Sequence, residues 1–159
     1  MHTARLVELI AVALTLTVVA CGGSPTGPSG ATDFTGVWQG NWVRASCTET
    51  GGAQGVACAQ TPTSAALRLT LSQSGNEVQG NVEVGSFIIP ASGVVNSGGS
   101  LSLSGSARQG SATGTLSNWS TSRSGNTMTG AFTLTIVADN PAFGSQILGL
   151  TLQSVTKSS

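Results

Sequence analysis

From Phe34 onward, apolar and polar residues alternate with a period of two, and this restricts the fold more than any other feature of the chain. Gly36, Trp38, Gly40 and Trp42 fall on one face of a strand, with Val37, Gln39, Asn41 and Val43 on the other. Leu67, Leu69 and Leu71 alternate with Arg68, Thr70 and Ser72. The same rhythm runs through Val78 to Val84, Leu101 to Ser104, Met128 to Ile136 and Leu148 to Leu152. Successive side chains of a strand point to opposite faces, so each run reads as a strand with one buried face. Ser74-Gly75-Asn76, Asn96-Ser97-Gly98-Gly99 and Ser124-Gly125-Asn126 separate these runs and supply the positive-φ residues of tight hairpins. Two hairpins repeat, Ser74 to Gly80 and Ser124 to Gly130. No amphipathic helix of useful length appears after the leader. The expectation is an all-β antiparallel meander of about eight to ten short strands, a closed barrel or a barrel-like sandwich. A closed barrel leaves no exposed strand edge, and Gly40, Gly80, Gly105 and Gly130 suit its tight bends.

The N-terminus belongs to a different kind of segment. Its apolar stretch, Leu9 to Val19, is shorter than the ~20 residues that cross a bilayer core. It ends in Val18-Val19-Ala20-Cys21, with the small Ala20 where a signal peptidase expects a small residue. These residues resemble the lipobox of bacterial lipoproteins, over residues 1 to about 23. The resemblance implies a signal peptide over residues 1–20, a diacylglyceryl group on the Cys21 sulfur, and acylation of the new amine. Each buried CH₂ contributes ~0.8 kcal/mol, and two or three chains make a lasting anchor where one does not. In that family an aspartate after the cysteine retains the protein at the inner membrane. Gly22 stands there, which favours the outer membrane over the inner membrane or the cell surface. Residues 21–33, rich in Gly, Ser and Pro, read as the lipidated cysteine and a flexible tether, with the barrel domain over residues 34–159.

Only 8% of residues are charged and the formal net charge is zero. Nucleic acid demands a basic stripe, and anionic lipid a basic patch, and neither is present. Three cysteines form an odd set until Cys21 is assigned to lipid. Cys47 and Cys58 then remain, and an oxidising compartment favours their disulfide over a metal-binding pair that lacks further ligands.

The mature chain lacks the residues of the common catalytic arrangements. Its leader carries the only histidine, His2, so Ser–His–Asp, Cys–His and histidine–metal sites are ruled out by composition. Glu77 and Glu83 lie on one face of one strand but ~20 Å apart, too far for a glycosidase pair. No glycine-rich turn opens a helix to hold phosphate. The expectation is a non-enzymatic protein without cofactor or metal. Binding is the remaining role, and Trp42, Phe87 and Trp119 are the candidate ligand residues. The alternation breaks at Asn118-Trp119, which marks either a bulge with a core Trp or an outward-facing Trp.

Thr35-Gly36-Val37-Trp38 resembles the Gly-x-Trp opening of lipocalin-like and avidin-like barrels, the calycins. The resemblance gives Gly36 and Trp38 structural positions at a closed end, beneath a basic residue of the last strand. Lys157 is the candidate for that residue. It also implies a small apolar or amphipathic ligand held inside the barrel. Two alternatives stand beside it: a structural or interaction lipoprotein with a filled core, its protein partner unnamed by the sequence, and a carbohydrate-binding surface built on an exposed Trp119.

Overall fold

The computed structural model describes residues 32–158. The lipobox, Cys21 and most of the tether lie outside the described residues. Eight strands follow one another: β1 (Gly36–Thr50), β2 (Ser64–Ser74), β3 (Glu77–Val84), β4 (Phe87–Val95), β5 (Leu101–Gln109), β6 (Ala112–Ser124), β7 (Thr127–Ala138) and β8 (Ser145–Lys157). Each pairs antiparallel with the next, and β8 pairs back with β1 from Trp38↔Lys157 to Thr50↔Ser145. That last ladder closes the sheet into a barrel. Period-two patterning serves sandwich and barrel equally, and the β1–β8 pairing decides between them. Among the described residues the one α-helical turn, α1 (Ala57–Gln60), lies in the β1–β2 connection.

The inward set is the one the alternation marks. Trp38, Trp42, Leu67, Leu69, Leu71, Val82 and Leu150 are all buried, while Arg68, Thr70, Gln79 and Thr151 face out. Burying a side chain of this kind contributes ~1.5–3 kcal/mol, so these positions dominate the stability of a chain with few charges. Two glycines mark where the ladder slips. The β1–β8 register shifts between Gln39 and Asn41, and a Cβ on Gly40 would lie 2.6 Å from the Val155 Cα. Gly130, at φ +144°, sits in the β7–β8 shift between Met128 and Ala131. Glycine permits both the close approach and the backbone conformation.

The first residues of β4 read poorly as alternation, because Phe87-Ile88-Ile89-Pro90 is an unbroken apolar run. Phe87 and Ile89 are buried while Ile88 faces solvent. The β4–β5 ladder stops at Ala91↔Gly105, next to Pro90, which has no N–H to extend it.

One end of the barrel is plugged. Phe34 and Trp38 are fully buried there, and the Trp38 indole N–H donates to the Phe34 carbonyl at 2.8 Å. The Arg123 guanidinium lies 5.4 Å from the Trp38 ring centroid and the Lys157 ammonium 5.9 Å. Lys157 thus occupies the position expected for the basic residue of the last strand, and Arg123 of β6 joins it. Thr32 and Asp33, which the sequence assigns to the tether, already dock here: Gln73 donates to the Thr32 carbonyl and Arg123 to that of Asp33. Burial would raise the Asp33 pKa, but hydrogen bonds from Thr35 and the charges of Lys157 and Arg123 outweigh it and hold the carboxyl below its ordinary value. Both ends of the described chain meet at this plug, since the Ser158 N–H donates to the Val37 carbonyl at 2.8 Å.

Candidate functional site

The opposite end, the mouth, is built differently. The β1–β2 connection crosses it as a strap carrying α1, fastened by the Cys47–Cys58 disulfide with Cα atoms 5.9 Å apart. Polar groups of the strap are satisfied from below. The Glu49 carboxylate accepts the backbone N–H groups of Gly55 and Cys58. The Arg44 guanidinium donates to the carbonyls of Cys58 and Thr61. Gln146, buried at the start of β8, donates to the Thr61 hydroxyl at 2.7 Å and lies 3.4 Å from the Cys47 sulfur. These contacts join the strap to both β1 and β8. Backbone groups left unpaired in a loop would otherwise need water.

Small residues ring this end. Ala65, Ala107 and Ala112 are only partly buried, although they pack on the core. Between the strap and β6–β8 lies a hollow of about 140 Å³ lined by Ala57, Ala112, Ile136, Ala138, Phe143 and Gln146. Exposed apolar side chains occur at this end on the two connections, Phe143 (64% exposed) and Val56 (51%), and on the outer wall, where Val137 and Ile147 flank the connection carrying η2 (Pro141–Phe143) and Ile88 begins β4; Val94, also exposed, lies toward the plug. The two larger hollows, of about 480 and 440 Å³, are grooves on the outer wall of β2–β4 beside Ser72, Gln79 and Ser92. None of these three hollows is a chamber within the barrel.

The three aromatic candidates are parts of the packed core. Trp119 is 3% exposed, stacks on Phe132 at 4.5 Å between centroids, and donates from its indole N–H to the Thr121 hydroxyl at 3.0 Å. The outward-facing alternative for Trp119 is therefore corrected. The broken alternation is a bulge: the β6–β7 register slips between Ser117 and Ser120, and Asn118 takes φ +50°. That slip returns Trp119 to the inside. Phe87 packs across to β6, where Gly114 lies so close that an added Cβ would sit 2.8 Å from the ring. Trp42, paired in register with Ala65 and Leu152, is 3% exposed. Its indole N–H is the buried side-chain polar atom that has no hydrogen-bond partner among the described residues. Such a group costs ~1–3 kcal/mol until an acceptor reaches it.

The strap anchors Arg44 and Gln146 and the rim residues Val56, Phe143 and Ile147 were not singled out from sequence. A signal for the rim did exist: Val56 and Phe143 are bulky apolar residues inside Gly-rich connections. Among the described residues, no group of three His, Cys, Asp or Glu is placed to hold a metal ion. Comparison with known protein families, with curated proteins and with solved structures returns no match for the chain.

Proposed function

We propose that the protein is a lipid-anchored, non-catalytic binding barrel of calycin type whose working face is its mouth. One observation carries the reading: the exposed Val56 and Phe143 lie on the two connections that flank the mouth hollow, Phe143 lines it, and this end is opposite the one where the tether enters. Scattered single apolar residues need no explanation, but a rimmed group does. The Cys21 lipobox supplies the anchor, and the tether of residues 22–31 lets the barrel stand clear of the headgroups with its mouth outward. The calycin assignment is supported by Gly36 and Trp38 at the plug beneath Lys157. The packed interior supports the filled-core version over a ligand held deep inside. A drug-sized ligand needs ~300 Å³ or more, and the mouth hollow is about 140 Å³.

The mouth assignment is tested with 8-anilinonaphthalene-1-sulfonate, a dye that brightens on apolar surface. The wild-type mature chain is expected to enhance its fluorescence several-fold. The double variant Phe143→Ser, Ile147→Ser is expected to lose most of that enhancement while its unfolding free energy in urea stays within ~0.5 kcal/mol of wild type, as exposed positions allow. Equal enhancement in both proteins would remove the mouth as the apolar face.

A further inference from the structure

We infer that the strap is a redox-operated lid: a dithiol reductant opens it by exchange at Cys58, with the Cys47 sulfur as the leaving group. The strap's own bonds carry this, whatever the mouth binds.

The part that moves is short. Residues 54–62 lie between two seated ends. Before them, Gly51 comes so close to the η2 connection that an added Cβ would lie 2.8 Å from the Gly144 Cα. After them, the Thr63 carbonyl accepts the Arg44 N–H at 2.8 Å. Gly55, at φ +79° and with no atom within 4 Å of an added Cβ, gives the segment a free bend. Among the described residues the buried apolar core passes from Trp42 directly to Leu67, and α1 contains no buried residue. Closure of the barrel does not need the segment either. β1 pairs with β2 up to Val43↔Ser64 and with β8 up to Thr50↔Ser145. An element that buries so little apolar surface can open while the rest of the fold stays intact.

The disulfide holds the lid shut, with polar contacts beside it. Glu49, Arg44 and Gln146 bond to Gly55, Cys58 and Thr61, all in exposed or part-buried positions. Water replaces such bonds at little net cost, so the covalent bond decides the state. Its two sulfurs are unequal. Cys58 is carried by α1 on the strap, whereas Cys47 packs against the core. The buried Gln146 amide donates to the Cys47 Sγ at 3.4 Å. A donor at a sulfur stabilises its thiolate, and the better-stabilised thiolate leaves faster. The reductant's thiolate therefore attacks the Cys58 Sγ, and Cys47 departs as a thiolate. The reductant's second thiol then attacks the mixed disulfide and frees Cys58. Two electrons and two protons pass to the cysteine pair, and the reductant becomes a disulfide. Opening takes Ala57 away from the hollow and bares Ala112 and Ile136.

The test uses the mature chain carrying Cys21→Ser, isotope-labelled at its amides and Ile methyls, in millimolar dithiothreitol without denaturant. The amide signals of Gly55, Cys58 and Thr61 are expected to move to random-coil positions and the Ile136 methyl to shift. Leu69 and Val82 are expected to keep their native positions, and oxidised glutathione to restore the first spectrum. Thr61→Val loses a strap contact but keeps the donor to Cys47. Measured against it, Gln146→Leu, which deletes that donor, is expected to be reduced about tenfold more slowly. Gln146→Met serves the same purpose if the leucine variant fails to fold. A pair that stays oxidised until urea unfolds the barrel overturns the inference. So does a reduced chain whose strap signals stay in place, or one that loses the native Leu69 and Val82 signals as well. Reduction of the Gln146 variant as fast as Thr61→Val also overturns it, by removing the assigned leaving group.

Discussion

Trp38→Ala will cost the barrel about 3–5 kcal/mol, the range for removing a large aromatic side chain from a core. With a urea dependence of ~1–3 kcal/mol per molar for a domain of this kind, the midpoint should fall by about 2 M. Two losses add. The fully buried indole leaves a cavity between β1 and the Phe34 plug, and its N–H no longer satisfies the Phe34 carbonyl. The cations above the ring lose their π partner as well, at 5.4 Å for Arg123 and 5.9 Å for Lys157. Each such contact contributes only ~0.5–1 kcal/mol where solvent reaches it. Lys157→Met should therefore cost under ~1 kcal/mol, far less than the loss of the ring. The comparison of the two midpoints separates packing from charge. A Trp38→Ala cost no larger than that of Lys157→Met would mean that the plug does not hold this end of the barrel.

The paired change Cys47→Ser, Cys58→Ser has the second largest expected effect, about 3 kcal/mol by loop-closure entropy for a loop of this length. The cysteines are 11 residues apart in sequence. The damage should be local in structure even though it is global in free energy. Glu49, Arg44 and Gln146 still hold the strap by hydrogen bonds, but the covalent tie between β1 and α1 is gone. Amide exchange at Leu69 and Val82, which open only with the whole barrel, should accelerate by the ~100-fold that ~3 kcal/mol represents, while Gly55, Cys58 and Thr61 should lose protection further through local opening of the strap. Unchanged protection in the strap would show that its hydrogen bonds suffice without the disulfide.

Much of the fold was legible because one physical rule, alternation across a pleated strand, applies to nearly every segment. Leu67-Leu69-Leu71 and Val78-Val82 gave their inward faces directly. Closure was not legible, because it depends on β1 meeting β8 over a separation of more than a hundred residues, and no local pattern records that meeting. β4 was obscured by its apolar run, where Ile88 is exposed against the rule and Pro90 stands where strand ladders seldom admit it. At Trp119 the sequence marked an irregularity but not its direction. A bulge shifts the inside–outside alternation by one residue, and only the register across β6 and β7 tells which way. The mouth was the least legible part. Its strap is held by side chain to backbone contacts such as Arg44 to Thr61, whose partners are set by tertiary closure. Its hollow forms where residues of the β1–β2 connection, β6, β7 and the β7–β8 connection converge.

The calycin resemblance drew attention to the plug, and the geometry there accords with it through Trp38 and Lys157. The same resemblance suggested a ligand deep in the barrel. The packing of Trp42, Phe87, Trp119 and Phe132 moves the weight of the argument outward to the mouth. Trp42 keeps one reservation inside the core, an indole N–H without an acceptor.

Native mass spectrometry of the protein extracted from bacterial membranes is expected to find a chain that begins at Cys21, carries a diacylglyceryl group and an amide-linked acyl chain, is two hydrogens lighter through the Cys47–Cys58 disulfide, and holds no further small molecule. An unmodified Cys21, or a stoichiometric lipid retained by the folded barrel, would contradict an anchored barrel with a filled interior.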